Sequence, residues 1–245
     1  MTRNGQIRAH VQTRHRVVDR TLIIDLGGRR RVLSSAPQGG GLTPASYILN
    51  HQVEKRPAGG GRRSARFPYP AHFLRVLASR FGIEAGTVGL MTAVPMTQLV
   101  TARACMGDLW VECFATVGVT NAVRAGEWPP PRAPQDESGN PGTINLILIT
   151  NGSLSHAAMV GAVQVATEAK VGLLRDHAIP SCLGGSTATG TGTDAVVIAC
   201  RLRGQGAVYQ YSGTHTIIGA LIGRVVAHCV AEGLKKATIW RRRHR

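Results

Sequence analysis

Residues 181–202, SCLGGSTATGTGTDAVVIACRL, gather four glycines, a run of hydroxyls and one carboxylate, Asp194. Repeated glycine lets backbone N–H groups approach a ligand closely or converge on one oxygen. Thr191 and Thr193, on either side of Gly192, add hydroxyl donors and acceptors. Asp194 can act as a base or orient a partner. A nucleotide is the first ligand to test against such a loop. Gly190-x-Gly192-x-x-Ala195 matches a dinucleotide pattern, but that pattern follows a strand and opens a helix. This loop instead runs into the apolar stretch DAVVIACRL. A P-loop needs Gly-Lys-Ser/Thr, and no lysine lies between Lys170 and Lys235. Both nucleotide readings fail. The bland alternative is a Gly-Thr turn whose aspartate satisfies its own backbone.

Other residues offer complementary chemistry. Glu168 lies at the edge of the polar face of a helical segment and is a candidate base for water; the competing reading is a solvated carboxylate. Lys170 projects to a different side of that helix, so the two are not expected to pair. Asp194 ranks above Glu168, because loops at strand ends commonly carry reactive groups. His215 stands at the start of the last helical segment, after Thr214 as the expected cap, where imidazole can move a proton or bind an amide. Asn121, Asn145 and Asn151 sit near strand ends, suited to recognising amides or to bracing turns. Ser35, beside Ser34, follows a short strand, but no G-x-S-x-G surrounds it. Gly142–Thr143 admits a second mechanism, in which the chain cuts itself before the threonine and the new amine serves as base. Five cysteines without a C-x-x-C pair indicate neither zinc nor a disulfide framework and fit a reducing cytoplasm.

The elements that must position these groups are legible from periodicity. RTLIIDLGGRRRVLSSA reads as two short strands around a Gly-Gly turn, and TVGLMTAVPM and LWVECFATVGV read as strands. TINLILIT and DAVVIACRL are continuous apolar runs, as in strands buried on both faces. AHFLRVLASRFG has helical spacing and ends on Gly82. The segment from Asn151 to His177 is a long helix with Ala158, Ala162, Val165, Ala169 and Leu173 on one side. The segment from His215 to Ala237 is a second amphipathic helix. Two stretches, RPAGGGRRSARFPYP and the proline-rich residues 126–142, read as loops, the second as a lid. The fold class is therefore α/β: one domain with a mixed sheet of about six strands and packed amphipathic helices. Residues 1–20 read as a basic extension, 21–237 as the domain and 238–245 as a basic tail.

The net charge of +16 invites a nucleic-acid partner, but the excess sits near the ends and in loops. No basic stretch is interleaved with aromatics, so solvated tails are the better reading. No apolar h-region follows the basic N-terminus, and no uninterrupted apolar run is long enough to span a bilayer.

Several separated segments agree on a relationship. RVLSSAPQGGG with ILNHQV, then ATVGVTNAVRAG, GTINLILITNGSLSHAAMVGAVQVATEAKVGLL, TATGTGTDAVVIA and YSGTHTIIGALIGRVV occur in this order. Together they resemble the adenosylcobinamide amidohydrolase family, from about residue 31 to 230. The chain departs from that pattern at Gly39–Gly41, at Thr214, where a lysine is common, and at His156. The resemblance implies hydrolysis of the amide between the aminopropanol arm and the corrin ring, releasing adenosylcobyric acid for corrinoid salvage. It also implies a corrinoid small-molecule substrate that brings its own cobalt; the spacing of His, Asp and Cys, the short apolar runs and the scattered charge add the expectation of no protein-bound cofactor or metal and of neither a membrane nor a nucleic-acid partner. A homo-oligomer is left open. On this reading Asp194, Glu168 and His215 are the catalytic candidates. Asn121, Asn145, Asn151, Ser35, Thr191, Gly192 and Thr193 are the substrate-binding candidates, and the Gly-Thr loop holds an amide or its oxyanion. The alternative is a corrinoid-binding protein without hydrolysis.

Overall fold

The structure is a computed structural model that describes residues 6–53, 69–84, 86–128 and 142–243. The strands are β1 (Arg14–Val18), β2 (Thr21–Ser34), β3 (Gly41–Gln52), β4 (Thr87–Thr92), β5 (Val100–Met106), β6 (Leu109–Val117), β7 (Ala122–Val123), β8 (Ile144–Thr150), β9 (Ser153–Leu154), β10 (Gly190–Thr191), β11 (Ala195–Cys200) and β12 (Val208–Tyr209). The helices are α1 (Pro70–Arg80), α2 (His156–Asp176) and α3 (Ile217–Arg243). Eight strands form the main sheet, in the order β4-β3-β2-β11-β8-β6-β5 with β1 also on β2. The sheet is mixed, as expected, and larger than the six strands inferred from pattern alone. β11 runs parallel to β8 and β4 parallel to β3, while the other main-sheet neighbours are antiparallel.

One strand replaces the expected hairpin. Residues 21–34 form a single strand whose register shifts between Asp25 and Arg30. Gly27 and Gly28 absorb the irregularity at φ of 69° and 126°, and the Asp25 carboxylate accepts from Gly27 N–H at 2.9 Å. The first half of β2 pairs with β1 and β3, the second half with β3 and β11. The sheet thereby folds over itself. Leu22, Ile24, Ile48 and Leu90 from one half pack against Phe114, Ile147, Ile149 and Val197 from the other.

Outer faces are covered by helices. Ile23 and Leu49 meet Ala78 at the end of α1 and Ile83 just beyond it. Val111, Cys113, Ala115, Leu146, Leu148 and Ile198 meet α2 and α3. The result is a four-layer stack of helix, sheet, sheet and helices. β8 is buried throughout, as its unbroken apolar run requires.

Caps set the helix ends. Ser155 Oγ accepts from Ala158 N–H at 3.0 Å, starting α2. α3 begins two residues later than Thr214 would place it: Thr216 Oγ1 accepts from Gly219 N–H at 3.0 Å. α1 ends at Arg80, with Gly82 at φ 73° just beyond. By length and composition, α2 and α3 would each be long enough to cross a membrane, but here their apolar stripes lie on the sheet. β1 and the buried Val11 lie within residues 1–20, and α3 continues past residue 237 to Arg243. Of the expected Arg-rich loop at 56–70 all but Tyr69 and Pro70, and of the expected lid at 126–142 residues 129–141, lie outside the described residues, and Pro70 opens α1 instead.

Candidate functional site

Asp194 immediately precedes β11 and is turned toward α2. One carboxylate oxygen accepts from Lys170 Nζ at 2.6 Å and from Thr191 N–H at 3.1 Å. The other accepts from Ile144 N–H at 2.9 Å and from the Thr191 hydroxyl at 2.5 Å. Lys170 is only 7% exposed, on the buried side of α2. A buried ion pair of this kind is weak evidence for stability, because desolvation offsets most of its Coulomb attraction. It is better evidence of a site whose geometry is tightly held. Gly190 makes room for it: a Cβ there would sit 2.6 Å from Asp194 Oδ2 and 2.9 Å from Lys170 Nζ.

On the other face of the same strand ends lies a cluster of hydroxyls and amides. The Thr143 and Thr193 hydroxyls are 2.8 Å apart. Thr143 Oγ1 donates to Gly142 O at 2.7 Å, and Thr193 Oγ1 lies 3.4 Å from that oxygen. Asn145 donates to Asn50 Oδ1 at 3.0 Å and to Met91 O at 2.9 Å, and Asn50 donates to the Thr116 hydroxyl at 3.2 Å. Strand alternation sends these side chains between the two sheet layers, in line with Ile48, Phe114 and Ile147. Asn121 reaches in from the turn before β7. Its Oδ1 is buried with no partner among the described residues and packs so closely on Gly142 that no Cβ fits there. Asn145 Oδ1 is likewise buried without a partner.

The Gly-Thr loop is anchored from outside. β10 pairs with β7, and Thr189 Oγ1 accepts from Ala125 N–H at 2.9 Å. Glu127 accepts from Ser181 at 2.5 Å and Ser186 at 2.7 Å, and these hydrogen bonds hold its carboxyl below the usual range. Next to it, the Trp128 side chain is 91% exposed. Ser35 lies at the same strand edge, where its hydroxyl accepts from Val196 N–H at 3.1 Å. Gly192 sits in the turn between Thr191 and Thr193 and has open space around its α carbon.

The structure thus brings Asp194, Thr191, Gly192, Thr193, Asn145, Asn121 and Ser35 to one edge of the sheet. It puts Asn151 and His215 elsewhere. Asn151 follows the far end of β8, accepting from Trp110 N–H at 2.9 Å and donating to Asp108 O at 2.7 Å, so it braces the β5–β6 turn. His215 is exposed in the turn before α3. Nearby Ser212 donates to Ala158 O at 2.6 Å, at the start of α2. Twelve helical residues separate Ala158 from Lys170, roughly 18 Å along the axis. Asp194 therefore pairs with Lys170, not His215. Glu168 is on the exposed side of α2, two positions before Lys170. Sequence reasoning passed over Lys170, Thr116 and Asn50 as parts of this edge. No cluster of His, Cys, Asp and Glu that could hold a metal occurs among the described residues.

Comparison with known proteins places this arrangement in a family. A family model described as adenosylcobinamide amidohydrolase matches residues 6–242. An adenosylcobinamide amidohydrolase from Methanosarcina mazei is 31% identical over 228 residues, covering 90% of this chain and 97% of that protein. An uncharacterized protein from Methanocaldococcus jannaschii is 29% identical over 236 residues, covering 89% of this chain and 86% of that protein. Among solved structures, the PH0078 protein from Pyrococcus horikoshii OT3 aligns with a TM-score of 0.44 and 11% identity, over 95% of this chain and 83% of that one. With nearly its whole described length matched by the family model, the chain belongs to the adenosylcobinamide amidohydrolase family.

Proposed function

We propose that this protein hydrolyses the amide that joins the aminopropanol arm of adenosylcobinamide to its corrin ring. The products are adenosylcobyric acid and the free amino alcohol, and the acid re-enters cobamide assembly. The observation that carries the reading is the clustering of Asp194, Thr191, Thr193, Asn145 and Asn121 at one strand edge of a family member. Amide hydrolysis needs an oxygen nucleophile, donors for the tetrahedral oxyanion and a proton for the leaving amine. The paired hydroxyls of Thr143 and Thr193 supply the oxygen chemistry. Asn121 and Asn145 supply amide groups that match the peripheral amides of a corrin. Asp194 positions the site by holding Lys170, Thr191 and the first amide of β8. The cobalt enters with the substrate and takes no part in holding the protein together.

The test is direct. The purified protein is incubated with adenosylcobinamide and the mixture analysed by mass spectrometry. Cobyric acid and aminopropanol are expected in equal amounts, at a rate proportional to protein. Corrinoid binding with no product would favour a binding protein; neither binding nor product would overturn the substrate assignment.

A further inference from the structure

We propose that the chain cuts itself between Gly142 and Thr143, and that the exposed α-amine of Thr143 then serves as the base that activates its own hydroxyl. The second half of this statement rests on the amidohydrolase reading; the first half does not.

Four observations converge on this peptide bond. Thr143 stands directly before β8, whose first amide is gripped by Asp194 at 2.9 Å, so the threonine is held on a fixed strand. It is 6% exposed, and its hydroxyl is folded back to 2.7 Å from the carbonyl oxygen of the preceding residue. Thr193 Oγ1 lies within 2.8 Å of that hydroxyl and 3.4 Å of the same carbonyl oxygen, so one group can relay the proton and polarise the carbonyl. The preceding residue is a glycine at a position where no Cβ fits. A side chain there would displace Asn121.

The unpartnered Asn121 oxygen supplies the link to the product. Buried acceptors without a donor are uncommon and call for an explanation. Asn121 Oδ1 lies against Gly142, the residue whose bond to Thr143 would be cut. An ammonium or amine at Thr143 would give it a donor.

The steps balance. Thr143 Oγ adds to the Gly142 carbonyl carbon, the C–N bond breaks, and the hydroxyl proton passes to nitrogen. The chain is then joined through an ester and Thr143 carries a free amine. One water hydrolyses the ester, leaving the Gly142 carboxylate and restoring the hydroxyl. In turnover the amine accepts the hydroxyl proton as Oγ attacks the substrate amide carbon. The aminopropanol nitrogen leaves with that proton. A second water cleaves the acyl ester, releasing cobyric acid.

The experiment is intact-mass spectrometry of the purified full chain under denaturing conditions, with N-terminal sequencing of any fragment. Two species, residues 1–142 and 143–245, are expected, their masses summing to the chain plus one water. Thr143→Ala should stay whole. Thr143→Ser, which keeps the hydroxyl, should be cut, and this guards against misfolding of the alanine variant. A chain that remains whole, or is cut at any other bond, overturns the inference. If the whole chain still releases cobyric acid, the amidohydrolase reading survives that result. If the chain is cut as expected but leaves adenosylcobinamide untouched, scission stands and the substrate reading falls.

Discussion

Asp194 accepts four hydrogen bonds, close to the capacity of a carboxylate, and that saturation limits its role. A base must have a lone pair to spare for the proton it takes. With all four directions taken, Asp194 fits the proposed mechanism as the group that fixes Lys170 and the start of β8. Replacing it by Asn leaves an amide that cannot accept from all four donors and strands a buried ammonium. Asp194→Asn should lower kcat on the order of 100-fold while corrinoid binding, followed by absorbance, changes little. Glu168→Gln, on the exposed side of α2, should retain most of the turnover and serves as the comparison. The Lys170 partnership was readable in principle. Ala158, Ala162, Ala166, Lys170 and Leu174 form one buried line at spacing four. The expected stripe ran through Ala169 and Leu173 instead, one position away, and so left the lysine outside. A lysine on a buried line requires a buried anion, and Asp194 is the one that answers. Thr143 and Thr193 could not be paired from sequence, because 50 positions separate them and only the parallel register of β8 and β11 joins them.

At the scale of elements, patterns with a single strong period were read correctly. Val111, Cys113 and Ala115 face α2 and α3 together, as the alternation in LWVECFATVGV requires. β8 and β11 are buried on both faces, matching their unbroken apolar runs. β2 was misread because Gly-Gly between two apolar runs signals a hairpin when strand pairing is unknown. Its distant partners, β11 with Val197 opposite Ser34 and β3 along both halves, hold it straight enough to pass through the irregularity. The central place of β8 also makes it energetically exposed to change. Leu148 is 2% exposed and packs against the helical layer. Leu148→Ala should cost about 2–5 kcal/mol of stability, measured as a lower urea midpoint with an unchanged slope.

For the molecule as a whole, charge and topology were unequally visible. The excess of 16 positive charges was countable, whereas the folding of the sheet over itself depends on long-range pairing that one sequence does not display. Both bear on acid stability. His51 sits opposite Thr21 across β2 and β3, shares a 2.8 Å hydrogen bond with its hydroxyl and lies 5.3 Å from the Phe73 ring. Burial, aided by Arg20, pushes its pKa down. The unfolded chain therefore binds the proton more readily than the native one. The contribution of His51 is full above the unfolded value, about 6.5, and is lost as pH falls through the lower native value. Thermal stability should decline between pH 7 and 5, and His51→Gln should flatten that slope in a pH series of melting curves.

The strand order carries one more consequence. β8 and β11, both after residue 142, are seated between β2 and β6, both before it. Each half of the chain thus fills the gap in the other, as interlaced fingers do. A break in the covalent backbone ahead of β8 would turn one polypeptide into two without making two particles. The halves would remain a single body until the whole sheet is dismantled.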